Sequence, residues 1–97
     1  AQGDYYLRVQ GDSMTGSRIY DGDLVYVKSC SNVESGAIAV VLLEYNEVTI
    51  KKILKKENTV ILMATNPTVE PRVFTRQEIE EGQMQIIGKV LHSKIRF

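Results

Sequence analysis

Apolar residues occur along the chain in short segments that are bounded by glycine, proline, asparagine and aspartate, and this pattern predicts β strands. Val, Ile and Thr together make up over a quarter of the sequence, and their β-branched side chains fit a pleated, half-buried surface. The candidate strands are residues 5–9, 23–28, 37–45, 47–56, 59–64, 71–74 and 84–97. We therefore expect an all-β fold.

The connections between these segments are short. Asn46 separates the third and fourth candidate strands, which predicts a hairpin, and residues 56–59 predict a second tight connection. Residues 65–71 contain two prolines, which cannot donate ladder hydrogen bonds, so they favour an irregular loop. Residues 75–82 fit either one helical turn that ends at a glycine or an edge strand. No repeat or linker divides the chain, so we expect one domain over residues 1–97.

Charge and composition narrow the classes of function. Twelve basic and twelve acidic residues give a formal net charge of zero, which argues against direct binding of nucleic acid or of an anionic membrane. The longest apolar run, residues 37–43, is much shorter than the ~20 residues of a membrane-spanning helix. Cys30 is the only cysteine, which excludes an internal disulfide and agrees with a cytoplasmic location. Because the chain begins with alanine, we expect further sequence upstream.

The stretch VQGDSMTGSRIYDGD, residues 9–23, raises the possibility of serine chemistry at Ser13. A serine hydroxyl becomes a nucleophile only when a base takes its proton. His92 is the only histidine, and a triad built on it stays open although nothing around it marks it as catalytic. An ordinary turn serine is the other alternative. The DGD sequence lacks the further carboxylates of a calcium loop, so we predict neither a metal nor a cofactor.

A lysine is the second kind of base that the sequence offers. It must be neutral, so its pKa has to fall from about 10.4 toward neutrality, and burial against apolar surface lowers it. The segment EVTIKKIL, residues 47–54, contains Lys51 and Lys52 on opposite faces of a strand. Alternation places Lys52 with three aliphatic residues, so periodicity favours Lys52 as the buried lysine. Two solvated lysines are the alternative.

Five motifs follow one another in a recognisable order: VQGDSM, IYDGDLVYV, GAIAVV, EVTIKKI and ATNP. Over nearly the whole chain they resemble the serine–lysine self-cleaving domain of LexA and the phage repressors, and UmuD is similar. The resemblance implies that Ser13 is the nucleophile and that Lys51, rather than Lys52, is the general base. It also implies an oxyanion hole formed by the backbone N–H groups of Asp12 and Ser13. Thr49, on the same face as Lys51, is a candidate for orienting the amine.

The resemblance further implies an architecture and partners. The fold would be a small, highly twisted, multi-stranded β fold of the LexA and signal-peptidase type, and the domain would form homodimers. In such repressors the domain follows a helix-turn-helix domain and cuts the linker between them in cis, at an Ala-Gly or Cys-Gly bond. A RecA filament, as in the SOS response, or an antirepressor would trigger cutting. Neither bond occurs here, so we expect the chain to begin after the scissile bond.

Two other functions stay open at this point. One is a non-catalytic module that oligomerises or binds a partner, as processed UmuD does. The other is a signal-peptidase-like enzyme that acts in trans. That family usually has proline after the Ser-Met pair and needs a membrane anchor, whereas Thr15 and Gly16 follow here and no anchor is evident.

Overall fold

The computed structural model describes residues 3–92, and seven strands account for nearly half of them. They are β1 (Tyr5–Arg8), β2 (Leu24–Ser29), β3 (Ile38–Leu43), β4 (Val48–Lys55), β5 (Thr59–Met63), β6 (Arg72–Thr75) and β7 (Met84–His92). The prediction of a small all-β fold is confirmed, and every candidate strand corresponds to an observed one. The last candidate strand was expected to continue to residue 97, but residues 93–97 lie outside the described part of the chain.

The strands form one antiparallel sheet in the order β1-β2-β7-β3-β4-β5-β6. The strand that is last in the sequence, β7, therefore lies between β2 and β3, which do not pair with each other. The register shifts between Tyr26 and Val27 where β2 meets β7, and between Val40 and Val41 where β3 meets β7. Such irregularities increase the local twist, so the sheet curls instead of lying flat.

The sheet is buried on both faces near its centre. Successive residues of β3 illustrate this, because Ala39, Val40 and Val41 are all fully buried. Ala39 and Val41 belong to one apolar cluster, with Ile53, Leu62 and Phe74 among its members. Val40 belongs to the second cluster, which also contains Val9, Met14, Ile19, Val25, Val27 and Ile50. The sheet therefore has two small hydrophobic cores, one on each of its faces.

The one α-helix of the described residues, α1, covers Arg76–Glu80 between β6 and β7. Thr75 caps it: its side chain accepts a hydrogen bond from the backbone N–H of Glu78, and the Glu78 carboxylate accepts one from the backbone of Thr75. Residues 75–82 therefore take the helical alternative and not the edge strand. Between Gly3 and His92 no helix has the length and apolar character needed to cross a membrane.

Candidate active site

Ser13 lies in a loop that leaves β1 and enters a 3-10 turn at Thr15–Ser17. Gly11, two residues before it, has a φ of +88°, a conformation that favours glycine. The backbone N–H of Gly11 donates to Asp21 Oδ1 over 2.9 Å, so the DGD turn that precedes β2 holds the start of the loop. That turn is bound to β1 as well, since the N–H of Gly22 donates to the carbonyl of Val9. The DGD sequence therefore has a structural role.

A second segment holds the loop from the other side. The carbonyl of Ser13 accepts hydrogen bonds from the backbone N–H groups of Thr65 and Asn66, at 2.9 and 3.0 Å. The Asn66 side-chain amide donates to the carbonyl of Asp12 over 2.9 Å. Contact is also close at Gly16, where a Cβ atom would collide with the carbonyl oxygen of Thr65. The Ser13 backbone is thus fixed by hydrogen bonds to a loop about fifty residues away in sequence.

Lys51 approaches Ser13 from β4. Its Nζ donates a hydrogen bond to Ser13 Oγ over 2.9 Å and another to Thr49 Oγ1 over 2.6 Å. Thr49 and Lys51 share a face of the strand, and their partners on β3 are the fully buried Val41 and Ala39. The structure therefore brings together three of the residues that the sequence singles out, with the lysine amine between two hydroxyl groups.

The surroundings of Lys51 favour its neutral form. Burial lowers the pKa of its amine below the ordinary value, because an ammonium ion loses hydration in this position. Two charged side chains modify this effect: the Glu47 carboxylate raises the pKa of Lys51, and the Arg72 guanidinium lowers it. Burial is the largest of the three causes.

The periodicity argument for Lys52 is wrong. Lys52 lies on the opposite face of β4, where it pairs with Ile38 and Met63, and it makes no contact with Ser13. The apolar residues of β4 alone do not predict which of its lysines is buried, because other parts of the protein pack on both faces of this strand. Val48, on the face that appeared the more apolar, is 47% exposed, whereas Ile53 on the face of Lys51 is fully buried.

Two backbone N–H groups, those of Asp12 and Ser13, belong to the loop that carries the serine hydroxyl. Among the described residues, the N–H groups of Asp12 and Ser13 have no hydrogen-bond acceptor in the protein, although the flanking N–H of Gly11 does. Their hydrogen-bonding capacity is therefore unused within the described part of the protein. This is the chemistry that an oxyanion requires, since two preorganised N–H groups stabilise the negative charge that develops on a carbonyl oxygen.

A cleft of about 250 Å³ opens at this position. One wall is formed by the end of β1 and the residues that follow it, and the other by the start of β4; the lining residues are Leu7, Arg8, Val9, Gln10, Gly11, Ser13, Met14, Val48, Thr49 and Ile50. Ser13 and Thr49 line the cleft, whereas Lys51 does not. A wider hollow of about 480 Å³ lies near α1 and the β4–β5 turn, and it contains neither Ser13 nor Lys51.

Comparison with known proteins shows the family of the chain. The family model of the S24-like peptidases matches residues 1–91. The chain belongs to the S24-like peptidase family. LexA repressors from Halalkalibacterium halodurans and Bacillus mycoides are each 37% identical to it over 87 residues, which is 90% of this chain and 39% of the relative. A LexA repressor from Paramagnetospirillum magneticum is 40% identical over 84 residues, or 87% of this chain and 35% of the relative. The chain thus spans less than two fifths of each of these relatives.

The other residues that the sequence of this S24-like peptidase singles out are not part of the contact between Ser13 and Lys51 or lie outside the described side chains. The side chain of His92 lies outside the described part of the structure, so the alternative of a triad built on it stays open. Met14 is 2% exposed and packs into the second core, and Thr65 Oγ1 contacts its sulfur. Cys30 is half-buried and free. Within residues 3–92, no three His, Cys, Asp or Glu side chains are grouped as metal ligands would be.

Sequence reasoning missed the role of Asn66. The ATNP motif contributes to the resemblance, but no function was attached to its asparagine. Its two hydrogen-bonding groups are both used in the structure: the amide donates to Asp12, and Oδ1 accepts from the backbone and hydroxyl of Thr68. An asparagine directly before a proline was the available signal, because this pair favours a turn whose side chain bonds nearby backbone.

Proposed function

We propose that this chain is the catalytic and dimerisation domain of a LexA-like or phage-type transcriptional repressor, and that it cleaves its own interdomain linker with a Ser13–Lys51 dyad. Ser13 is the nucleophile, Lys51 is the general base, and Thr49 orients the Lys51 amine. The observation that carries the proposal is the 2.9 Å contact between Lys51 Nζ and Ser13 Oγ, together with the burial that lowers the pKa of that lysine.

The proposed reaction is an acyl transfer in two steps. Neutral Lys51 takes the proton of the Ser13 hydroxyl as Oγ forms a bond to the scissile carbonyl carbon. The N–H groups of Asp12 and Ser13 stabilise the oxyanion. The carbon–nitrogen bond then breaks, and the Lys51 ammonium gives its proton to the leaving amine. Water, deprotonated by Lys51, attacks the acyl ester; the bond to Oγ breaks, and the proton returns to Ser13.

The proposed substrate is an extended stretch of the protein's own linker. Support comes from the position of the cleft beside β1, an edge strand whose second side has no partner strand in the described sheet. A peptide can pair with such an edge by main-chain hydrogen bonds and lead its scissile bond to Ser13. Cutting the linker would separate this domain, and the dimer contact it provides, from a DNA-binding domain upstream. A RecA filament or an antirepressor would be the trigger in the cytoplasm.

The test uses the chain with its natural upstream sequence. We expect slow self-cleavage at alkaline pH, and we expect Ser13→Ala and Lys51→Ala each to abolish it. Lys52→Ala is the matched control, because it removes a lysine one position away that does not contact Ser13. Intact folding of each variant is checked by thermal melting. Cleavage that survives in folded Ser13→Ala or Lys51→Ala would exclude the dyad, whereas a folded wild type that does not cleave would make a non-catalytic, UmuD-like module the better assignment.

A further inference from the structure

Arg72 lies on the same sheet face as Lys51, two strands away. Ile53 of β4 pairs with Leu62 of β5, and Leu62 pairs with Arg72 of β6, so these three residues share one face. Lys51 precedes Ile53 by two positions and therefore shares that face as well. Arg72, on the edge strand β6, therefore lies on the same face of the sheet as Lys51.

The guanidinium of Arg72 is held in place without being neutralised. It lies over the ring of Phe74, 5.2 Å from the centroid, and that ring is itself part of the first apolar cluster. Arg72 and Glu47 line the same small hollow of about 120 Å³. Between residues 3 and 92 the only ion pair is Lys89–Glu34, so neither Arg72 nor Glu47 is paired with an opposite charge at contact distance.

Few other charges face the lysine. β3 and β5, which flank β4, contain no charged residue. On β4 itself Lys52 points to the other face, and Lys55, which shares the face of Lys51, donates to Asn32 at the end of the strand. Asp12 in the Ser13 loop is not among the charges that shift the pKa of Lys51. Glu47 and Arg72 are the two charged side chains that act on the Lys51 amine, in opposite directions. Burial lowers the pKa of Lys51, and the opposing effects of Glu47 and Arg72 determine how far the pKa departs from the value that burial alone would give.

We propose that Arg72, held over Phe74 on the sheet face that carries Lys51, is a positioning residue that acts through Lys51 by repelling its ammonium form and so offsetting the attraction of Glu47. This inference rests on the proposed function, because a neutral Lys51 is useful only if it is the base. It adds a residue outside the dyad that shifts the pH at which the base becomes available.

The first test measures protonation and not cleavage. In the 97-residue chain labelled with ¹³C at the lysine ε-carbons, the Lys51 signal, assigned by its loss in Lys51→Met, is titrated by NMR. We expect Arg72→Gln to move the Lys51 titration to higher pH, Arg72→Glu to move it further, and Arg72→Lys to leave it close to wild type. Glu47→Gln should move it to lower pH. Arg76→Gln is the control. Arg76 is an exposed arginine that lines the hollow of about 480 Å³ near α1, and its substitution should leave the Lys51 titration unchanged.

The second test measures the reactivity of Ser13 with a fluorophosphonate as a function of pH. Below the midpoint we expect Arg72→Gln to react about two- to threefold more slowly, the factor expected for two unit charges several ångströms apart in a largely aqueous medium. The difference should vanish at high pH and shrink as salt is added. A loss that is the same at every pH and salt concentration, or an unmoved Lys51 titration in Arg72→Gln and Arg72→Glu, would overturn the inference. An unreactive wild-type Ser13 would instead count against the proposed function, and the NMR titration would still decide the role of Arg72.

Discussion

Lys51 donates a hydrogen bond to Thr49, two residues earlier on the same strand, over 2.6 Å. The same nitrogen contacts Ser13 Oγ at 2.9 Å. A neutral amine has one lone pair, and it can accept the serine proton only if that lone pair points at Oγ. Donation of one N–H to Thr49 restricts rotation about the end of the lysine side chain, and the proposed role of Thr49 is to favour the orientation in which the lone pair faces Ser13.

Thr49→Val should therefore slow self-cleavage by about five- to tenfold, since a hydrogen bond of this kind contributes about 1 kcal/mol. Valine keeps the branched shape opposite Val41, so the fold should be retained. Thr49→Ser preserves the hydroxyl and should cleave at close to the wild-type rate. First-order rate constants in the three proteins decide the point; equal rates in Thr49→Val and wild type would remove Thr49 from the site.

The rate of self-cleavage should rise with pH. Below the pKa of Lys51 the neutral fraction grows about tenfold for each pH unit, and above that pKa the rate should become constant. Because burial lowers the pKa of Lys51, the plateau should begin below the ordinary lysine value of 10.5. The measurement is the rate constant across neutral to strongly alkaline pH. A flat profile would contradict a lysine base.

The free energy of unfolding should also depend on pH through the titration of Lys51. The pKa of Lys51 is lower in the folded protein than in the unfolded chain, so between the two values the unfolded chain binds more protons. The wild type therefore gains stability as pH rises through this window, and the penalty for burying the ammonium is fully present below it. Lys51→Met has no such penalty. The unfolding free energy of Lys51→Met minus that of wild type should fall as pH rises from neutral toward 10.5.

Denaturant unfolding of both proteins at several pH values gives this difference. Its trend with pH is the informative quantity, because the substitution also removes the hydrogen bonds to Ser13 and Thr49 at every pH. Parallel stability curves for the two proteins would mean that Lys51 is not desolvated by folding.

Asn66→Ala should impair cleavage more than it impairs folding. The lost amide hydrogen bond to Asp12 is exposed and should cost about 1 kcal/mol of stability. It also fixes the peptide group that joins Asp12 to Ser13, whose N–H is a proposed oxyanion donor, and small displacements of catalytic groups reduce rates strongly. We expect a loss of about tenfold or more in rate.

Thr68→Val provides the matched control for Asn66. It removes the hydroxyl that donates to Asn66 Oδ1 but leaves the Asn66 amide on Asp12. Its melting temperature and cleavage rate should both stay close to those of wild type. Equal rate losses in the two variants would show that the loop acts only through its general stability.

The strands were predictable because their pattern is local. Short β-branched segments between turn residues need no knowledge of their neighbours, and all seven segments are strands in the structure. The choice between Lys51 and Lys52 was not predictable from alternation, since it depends on which strands cover each face of β4. The resemblance, which rests on motif order, is what favoured Lys51.

The support around Ser13 could not be derived from the sequence for a related reason. Asn66 and Asp12 are separated by 54 positions, and the hydrogen bond between them exists only in the folded chain. Arg72 is a further example, because its relation to Lys51 follows from two strand registers that the sequence does not fix. The motifs point to Ser13, Lys51 and Thr49, whereas the contacts of Asn66 and Arg72 depend on how distant loops and strands are arranged in the fold.

The central position of β7 determines when the sheet can form as a whole during folding. The β1–β2 hairpin and the β3-to-β6 meander are separate blocks, and each has one side of hydrogen-bonding groups open until β7 is inserted between them. Ser13 follows the first strand of one block, and Lys51 belongs to the other. During synthesis on the ribosome, the seventh strand is the last of the described strands to emerge, so the two halves of the site are joined into one sheet only then.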